Sequence, residues 1–234
     1  MFARISFRFV ERIIFLNPDA PVDLLQQYNI KVPQASVLGG IGLNLADYPY
    51  SQPPKEPVSF IFVGRLLAEK GVNEFIAAAK KIKESFPEVK FVMLGGLDEG
   101  NPGGFTASRL LQLTQKGTVM HPGHVENVRE WLQDASVFVL PSYYREGVPR
   151  STQEAMAIGR AIITTDVPGC RETVIDGVNG FFVKPWSPDD LATKMKKFIE
   201  NPELIVSMGL ESHKMAREKF DATEVNSRLV RFFD

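Results

Sequence analysis

VSFIFVGRLLAEKGVNEFIAAAKKIKESFPEVKFVML, residues 58–94, contains the pattern that decides the fold. VSFIFV (58–63) is an apolar run rich in β-branched and aromatic residues, and it has the length of a buried strand. GVNEFIAAAKKIKESF (71–86) then repeats apolar residues at helical spacing, and KFVML (90–94) has the composition of a second strand. A strand, a helix and a second strand in this order predict a βαβ unit with parallel strands.

The same alternation continues to residue 220. Further strands are predicted at 137–140, 161–165 and 180–183, with a weaker one at 118–121. Further helices are predicted at 106–116, 126–135, 152–158, 189–201 and 202–220, with a short helical turn near 171–175. Short strands separated by helices predict an α/β fold with a doubly wound, Rossmann-like parallel sheet. In such a sheet, ligands bind in the loops at the carboxyl ends of the strands.

The first 50 residues fit this alternation less well. RIIFLN (12–17) and ASVL (35–38) are predicted strands, and PVDLLQQYN (21–29) is a predicted helix between them. YPYSQPPKEP (48–57) carries four prolines, a composition typical of a linker.

We therefore expect three regions. Residues 1–50 form an N-terminal piece with its linker, residues 51–220 form the Rossmann-like domain, and residues 221–234 form a C-terminal helix. Fifty residues hold too small a core to fold alone, so we expect the N-terminal piece to dock on the main domain or on something that is absent here.

Composition excludes several classes of protein. The chain has 234 residues, 44% of them hydrophobic, and a formal net charge of -1, which argues against a dedicated nucleic-acid binder. A single cysteine, Cys170, rules out an intramolecular disulfide bond and fits a reducing compartment. No apolar run approaches the ~18 residues of a membrane span, and charges interrupt the opening MFARISFRFVERIIFL where a signal peptide needs an unbroken apolar core.

The loop GRLLAEKG (64–71) follows the first strand of the βαβ unit. Gly64 permits close approach of a ligand to the backbone, and Arg65 and Lys70 place two cations before the next helix. Backbone donors, a guanidinium fork and an ammonium group together suit a diphosphate. A surface loop with two solvated cations explains the same residues. Neither the dinucleotide-binding fingerprint nor the phosphate-binding P-loop motif is present.

REGVPRSTQE (145–154) places Glu146 and Glu154 on either side of a predicted helix start, which carries free N–H groups and partial positive charge. This arrangement favours a ligand with both phosphates and hydroxyls. Two interpretations of Glu154 stay open. Ser151 to Glu154 matches a capping box, which would turn Glu154 back onto its own helix. Alternatively, Pro149 is the first helical residue and Glu154 lies in the second turn, free to reach a ligand.

Two other groups of residues carry a weak metal signal. Asp98 and Glu99 are adjacent acids in the glycine-rich loop 95–105, and His121 and His124 form an H-x-x-H pair. Zinc sites usually need a third or fourth protein ligand, which the sequence does not offer here. We expect no metal and no cofactor.

Four stretches in register resemble the C-terminal half of the family-4 retaining glycosyltransferases, which have the two-Rossmann-domain GT-B fold. They are FVGRLLAEKG, HPGHVENVREWLQDASVFVLPSYYREGVPRSTQEAMAIGRAIITTD, VPGCRET and NGFFVKP, and the resemblance that rests on them covers residues 58–220. The two glutamates separated by seven residues are a signature of that family. Residues 12–45 resemble the end of its N-terminal domain, the rest of which has no counterpart here. The resemblance thus implies a chain that holds mainly the donor-binding half, with a remnant of the N-terminal acceptor domain.

The resemblance also implies roles for individual residues. Arg65 and Lys70 would hold the diphosphate of a nucleotide sugar, and Glu154 would accept hydrogen bonds from the ribose hydroxyls. Glu146 would contact the transferred sugar, and Arg65, Lys70 and Glu146 would form the catalytic group. The remaining donor-binding residues would be Gly64 in the loop after the first strand, His124 and Val125 beside the base, and Gly147, Val148, Pro149 and Arg150 near the phosphates.

REGVPR combined with DVPGCRE resembles a subgroup that extends polyprenyl-diphosphate-linked oligosaccharides in bacterial capsule, O-antigen or protein glycan synthesis. Many of its members use UDP-N-acetyl sugars. The resemblance implies a UDP-sugar donor, a lipid-linked or saccharide acceptor, and no metal. It also implies a cytoplasmic enzyme that associates peripherally with the inner face of the membrane through its N-terminal domain. Two alternatives stay open: a non-catalytic nucleotide-sugar-binding subunit, and a GT-B-type UDP-sugar epimerase.

Overall fold

A five-stranded parallel sheet forms the centre of the protein, which a computed structural model describes over residues 7–98, 100–114 and 117–233. The strands lie in the order β4-β3-β5-β6-β7. Their bounds are β3 Ser59–Val63, β4 Lys90–Leu94, β5 Val137–Leu140, β6 Ala161–Thr165 and β7 Gly180–Val183. Every residue of β3, β5 and β6 is buried, as expected of a parallel sheet covered on both faces. The predicted α/β fold is confirmed.

Seven α-helices accompany the sheets in the described residues. They are α1 Val72–Ser85, α2 Ala107–Thr114, α3 Val128–Gln133, α4 Arg150–Ile158, α5 Pro188–Glu200, α6 Glu203–Phe220 and α7 Ala222–Val230. Helix α1 shows why they form, because Phe75, Ala79 and Ile82 recur at helical spacing and are fully buried. Helices α1 and α5 pack against each other, as do α4 and α6.

The structure corrects two of the predicted elements in this domain. The weak strand predicted at 118–121 is a single bridge between Val92 and Met120, and Pro122, which has no N–H group, follows soon after. The helix predicted at 126–135 is shorter and spans Val128–Gln133.

Residues 12–47, here called the N-terminal segment, form a second and smaller layer. Strands β1 (Arg12–Phe15) and β2 (Gln34–Val37) pair in parallel. The helix predicted between them is a short π-helix, Val22–Gln26, and Asn29 follows it with a positive φ of 48°.

The N-terminal segment lies against the main sheet domain and the last helix. Leu43 forms a parallel bridge with Asp221, and backbone hydrogen bonds join Leu43 to Phe220 and Ala222. A Cβ at Gly42 would lie 3.0 Å from a methyl group of Val225 in α7, so glycine permits the close contact. These contacts hold the end of the N-terminal segment against the junction between α6 and α7.

The strand order also locates a crevice. The chain goes from β3 outward to β4 and then crosses to β5 on the other side of β3. Connections therefore leave β3 and β5 in opposite directions, which opens a crevice at their carboxyl ends. The loops that begin at Gly64 and Pro141 line this place.

Candidate donor-binding site

The loop after β3 is held against the loop after β5 by a glycine. Ala68–Lys70 form a single 3₁₀ turn, and Gly71 ends it with a φ of 80°. A Cβ at Gly71 would lie 2.3 Å from the carbonyl oxygen of Pro141, closer than any real side chain approaches. Glycine therefore allows the two loops to meet, and their contact brings Lys70 to the β5 loop.

Lys70 and Glu146 form an ion pair at this contact. Their side chains are only 13% and 11% exposed, and the hydroxyl of Ser142 donates a second bond to Glu146 Oε1 at 3.1 Å. The Lys70 ammonium also lies 5.3 Å from the centre of the Tyr144 ring. The structure thus joins two predicted site residues that are 76 positions apart in the chain.

Arg65 has a different partner from Lys70. Its guanidinium pairs with Asp98 at 3.2 Å, and its side chain remains 62% exposed. Gly64 beside it has only ordinary contacts around the position of a Cβ, the nearest being a Phe62 ring atom at 3.5 Å. Arg65 is accessible at the mouth of the crevice, where a rotation of its side chain would release it from Asp98.

The turn Glu146–Gly147 is packed on two sides. The Glu146 N–H group donates to the Pro168 carbonyl at 3.2 Å. Gly169, with a φ of 82°, lies so close that a Cβ there would be 2.4 Å from the Gly147 oxygen. On the other side, the amide of Asn17 donates to both turn carbonyls. This neighbour comes from the N-terminal segment.

Helix α4 begins at Arg150, immediately after Pro149, which has an extended ψ of 124°. No side chain caps the helix, and Ser151 lies inside its first turn. The capping-box interpretation of Ser151 to Glu154 is therefore wrong, and Pro149 immediately precedes the helix rather than being its first residue. The first N–H groups of an α-helix have no partner within the helix, so those of α4 are available near Val148 and Arg150.

Glu154 lies in the second turn of α4 and is 13% exposed. The Tyr48 hydroxyl and Arg150 Nε both donate to its Oε1 atom, each at 3.0 Å. Burial, followed by the charge of Glu154, raises the pKa of Tyr48, so the phenol stays protonated and continues to donate. The hydrogen bond to Glu154 likewise raises the pKa of Arg150. The carboxylate is thus oriented through one oxygen, and Oε2 is left for another donor.

Glu154 borders a cavity of about 340 Å³. Its other lining residues are Asp47, Tyr48, Glu126, Asn127, Val128 and Arg129. His124 and Val125, predicted beside the base, directly precede this wall, with His124 exposed and Val125 partly buried against the core.

A second cavity, of about 620 Å³, borders Glu146. The N-terminal segment and the β5 loop form it together. Its lining includes Phe15, Leu24, Tyr28, Arg145 and Glu146. Glu146 therefore lines part of the space between the N-terminal segment and the β5 loop.

The residues with a weak metal signal have other contacts. His121 Nε2 lies 3.0 Å from the Gly95 carbonyl oxygen, and Asp98 is the partner of Arg65. Glu99 lies outside the described residues. Across 7–98, 100–114 and 117–233, no three His, Cys, Asp or Glu side chains gather as metal ligands do.

Reasoning from the sequence missed Asn17, Tyr48 and Ser142. Asn17 and Tyr48 belong to the N-terminal segment and the linker, far in sequence from the glutamates that they contact. Ser142 is four residues before Glu146 and could have been noticed as a neighbouring hydroxyl.

Comparisons with known proteins identify the family of this chain. The profile of one family, glycosyl transferases group 1, matches residues 49–215. This match covers most of the chain, and the chain belongs to the glycosyl transferases group 1. The predicted family resemblance is confirmed.

Two curated relatives are similar over much of the chain. An N,N'-diacetylbacillosaminyl-diphospho-undecaprenol alpha-1,3-N-acetylgalactosaminyltransferase of Campylobacter jejuni is 28% identical, over 99% of this chain and 62% of its own length. A capsular polysaccharide biosynthesis glycosyltransferase of Staphylococcus aureus is 32% identical, over 69% of this chain and 42% of its own.

Among solved structures, the Anabaena protein HepE in complex with UDP and glucose superposes with a TM-score of 0.85. It is 20% identical, and the match covers 99% of this chain and 65% of HepE. At this identity the similarity shows a shared fold. The chain thus spans between 42% and 65% of the length of these three proteins.

Within the described residues, none of the helices combines the length and the apolar character that crossing a bilayer requires.

Proposed function

We propose that this chain binds the nucleotide-sugar donor of a retaining glycosyltransferase. The observation that carries the proposal is the Lys70–Glu146 pair at the crevice between β3 and β5, close to the uncapped start of α4. A cation and free helix amides suit a diphosphate, whereas a carboxylate suits the hydroxyls of a sugar. A nucleotide sugar contains both groups side by side.

Each part of the donor has a counterpart in the site. Lys70 and Arg65 bind the diphosphate, with the amides of Gly147, Val148 and Arg150 beside it. Glu154 accepts hydrogen bonds from the ribose hydroxyls through its Oε2 atom, next to the cavity that receives the base near His124 and Val125. Glu146 accepts from the hydroxyls of the transferred sugar.

In the proposed reaction, the bond between the sugar's anomeric carbon and the diphosphate oxygen breaks, and an acceptor hydroxyl forms the new bond on the same face. The acceptor's proton leaves with the diphosphate. Negative charge therefore grows on the leaving group, and Lys70, Arg65 and the start of α4 stabilise it. Glu146 binds the sugar without acting as a nucleophile.

We further propose a UDP-sugar, such as a UDP-N-acetylhexosamine, as the donor and a polyprenyl-diphosphate-linked glycan as the acceptor. HepE was solved with UDP, and the Campylobacter jejuni relative is named for a diphospho-undecaprenol acceptor. The 620 Å³ cavity beside Glu146 has room for acceptor groups on the open side of the site. A place at the inner face of the cytoplasmic membrane follows from such an acceptor.

Calorimetry with UDP and uridine tests the donor site, because uridine has the base and ribose but no phosphates. Arg65→Ala should weaken UDP binding by about 1.5 kcal/mol, roughly tenfold, and leave uridine binding unchanged. Glu154→Gln should weaken both ligands to a similar extent, since both carry the ribose. Arg217→Ala, an exposed arginine on α6 outside the strand-end loops, is the matched control and should change neither.

Binding of UDP should persist in EDTA, since the proposed site uses side-chain cations. Strict dependence on a divalent ion would contradict the metal-free site. Equal affinity of the unmodified chain for UDP and uridine would overturn the diphosphate site and leave Arg65 and Lys70 as ordinary loop cations.

A further inference from the structure

Asn17 is a buried polar residue of the N-terminal segment that contacts the proposed donor site. Only 3% of its surface is exposed. Its Nδ2 atom donates to the carbonyl oxygens of Glu146 at 2.7 Å and Gly147 at 2.9 Å. One side chain therefore binds two consecutive carbonyls of the turn that carries Glu146.

The other end of the Asn17 amide is equally well defined. Its Oδ1 atom accepts from the N–H groups of Asp19 at 3.1 Å and Ala20 at 2.9 Å. An asparagine amide has two N–H donors and an oxygen with two lone pairs, so all four of its hydrogen bonds are made. Reversing the amide would place donors against donors, which fixes its orientation.

The planarity of the peptide bond gives these two bonds a consequence for the ligand site. In a trans peptide, the C=O of one residue and the N–H of the next lie in one plane and point in opposite directions. By holding the carbonyls of Glu146 and Gly147, Asn17 therefore sets the direction of the N–H groups of Gly147 and Val148. Neither N–H group has a protein acceptor within the part of the chain that the structure describes.

We propose that Asn17 is a positioning residue, which orients the Gly147 and Val148 amides toward the diphosphate of the donor. The inference rests on the proposed function for its ligand. It also links the two parts of the protein, because the amides are correctly aimed only while the N-terminal segment is docked.

Two substitutions separate this role from a general contribution to stability. Asn17→Asp keeps the size of the side chain and the bonds to Asp19 and Ala20, but turns a carboxylate oxygen toward two carbonyl oxygens. Asn17→Ala removes all four bonds. The matched control is Asp19→Asn, which weakens another contact of the same segment, the ion pair with Arg171 at 3.2 Å, and leaves the Asn17 amide in place.

Calorimetry on the whole chain should show that both Asn17 variants lose about tenfold in affinity for UDP. Their affinity for uridine should stay within twofold, since uridine has no diphosphate. Asp19→Asn should bind both ligands as the unmodified chain does. A lower melting temperature with an unchanged ratio of UDP to uridine affinity would overturn the proposal and leave Asn17 a structural residue.

Hydrogen exchange on the ligand-free chain provides a test that does not depend on UDP. In Asn17→Asp, the Glu146 amide, which donates to the Pro168 carbonyl in the same turn, should exchange faster than in the unmodified chain, while the amides of β6 stay slow. Unchanged exchange at the turn would overturn the role of Asn17 even if UDP binds. Absence of any preference for UDP in the unmodified chain would instead overturn the proposed function, and with it the ligand assigned here.

Discussion

At the scale of single residues, two opposite charges of the site are paired with each other. Lys70 and Glu146 are mostly buried, and each is the other's counter-ion. Removing one charge from a buried pair leaves the other without compensation, which is costly in a poorly solvated place. Under the proposed function, a nucleotide sugar replaces both halves of the pair at once, because its diphosphate attracts Lys70 and its hydroxyls donate to Glu146.

Lys70→Met should lower the free energy of unfolding by about 3 kcal/mol, because Glu146 then keeps only Ser142 as a partner. Lys70→Met combined with Glu146→Gln should recover most of that loss, since no buried charge remains. Urea denaturation of the single and double variants measures the difference. If the double variant is as unstable as Lys70→Met, the pair is not the source of the stability.

At the scale of elements, the junction between the 3₁₀ turn and α1 decides where Lys70 lies. The turn ends at Gly71, whose positive φ redirects the chain into the helix. The same glycine lies against Pro141, so the loops after β3 and β5 form one surface. A larger residue at this position would have to separate the loops or distort the backbone.

Gly71→Ala should lower the free energy of unfolding by at least about 2 kcal/mol, because the new Cβ meets the Pro141 carbonyl and the left-handed backbone is strained. Gly39→Ala is a matched control. Gly39 has a similar φ of 85° but nothing within 4 Å of its Cβ position. We expect about 1 kcal/mol there, from the backbone conformation alone. Equal losses in urea denaturation would show that the contact with Pro141 can relax.

The start of α4 is a second case in which one element decides the chemistry of the site. Because the helix begins at Arg150, Glu154 lies one turn further along and turns its carboxylate outward to Tyr48 and Arg150. If Ser151 were instead the N-cap residue of a capping box, Glu154 would have turned back onto its own helix.

At the scale of the whole molecule, a buried arginine ties the linker to the sheet domain. Arg160, just before β6, is fully buried, and burial lowers its pKa to about 10, so it remains charged near neutral pH. Its guanidinium donates to the carbonyls of Gln133 at 3.1 Å, Ala135 at 2.8 Å and Ile158 at 3.2 Å. It also donates to the carbonyl and the hydroxyl of Ser51 in the linker.

Arg160→Ala should lower the free energy of unfolding by about 4 kcal/mol, because four backbone carbonyls lose a donor and a large cavity opens. Arg160→Lys should recover only part of the loss, since an ammonium group cannot reach every acceptor of the planar fork. Thermal or urea denaturation gives the comparison, with Arg217→Ala as the exposed control. Full recovery in Arg160→Lys would show that charge alone, without the fork, holds the linker.

Much of the sheet domain was predictable from the sequence. The predicted strands at 90–94, 137–140, 161–165 and 180–183 have the observed bounds. Apolar runs and helical periodicity are local signals, so they can be recognised in a short stretch of sequence without knowing which elements pack against it. The strand predicted at 118–121 was wrong because a strand needs several consecutive residues paired with its neighbour. In this stretch only Met120 forms a bridge, to Val92 of β4.

What the sequence by itself determined is the class of fold, the loops that carry the site and the residue types available for phosphates and hydroxyls. These follow from periodicity and from side-chain chemistry, which are properties of short stretches. Only the tertiary structure decided which residues meet: Lys70 with Glu146, Tyr48 with Glu154, and Asn17 with the Glu146 turn. These partners are 76, 106 and 129 positions apart in the chain. Contacts between residues so far apart in sequence depend on the strand order and on the docking of the N-terminal segment. Neither can be inferred from a local sequence pattern.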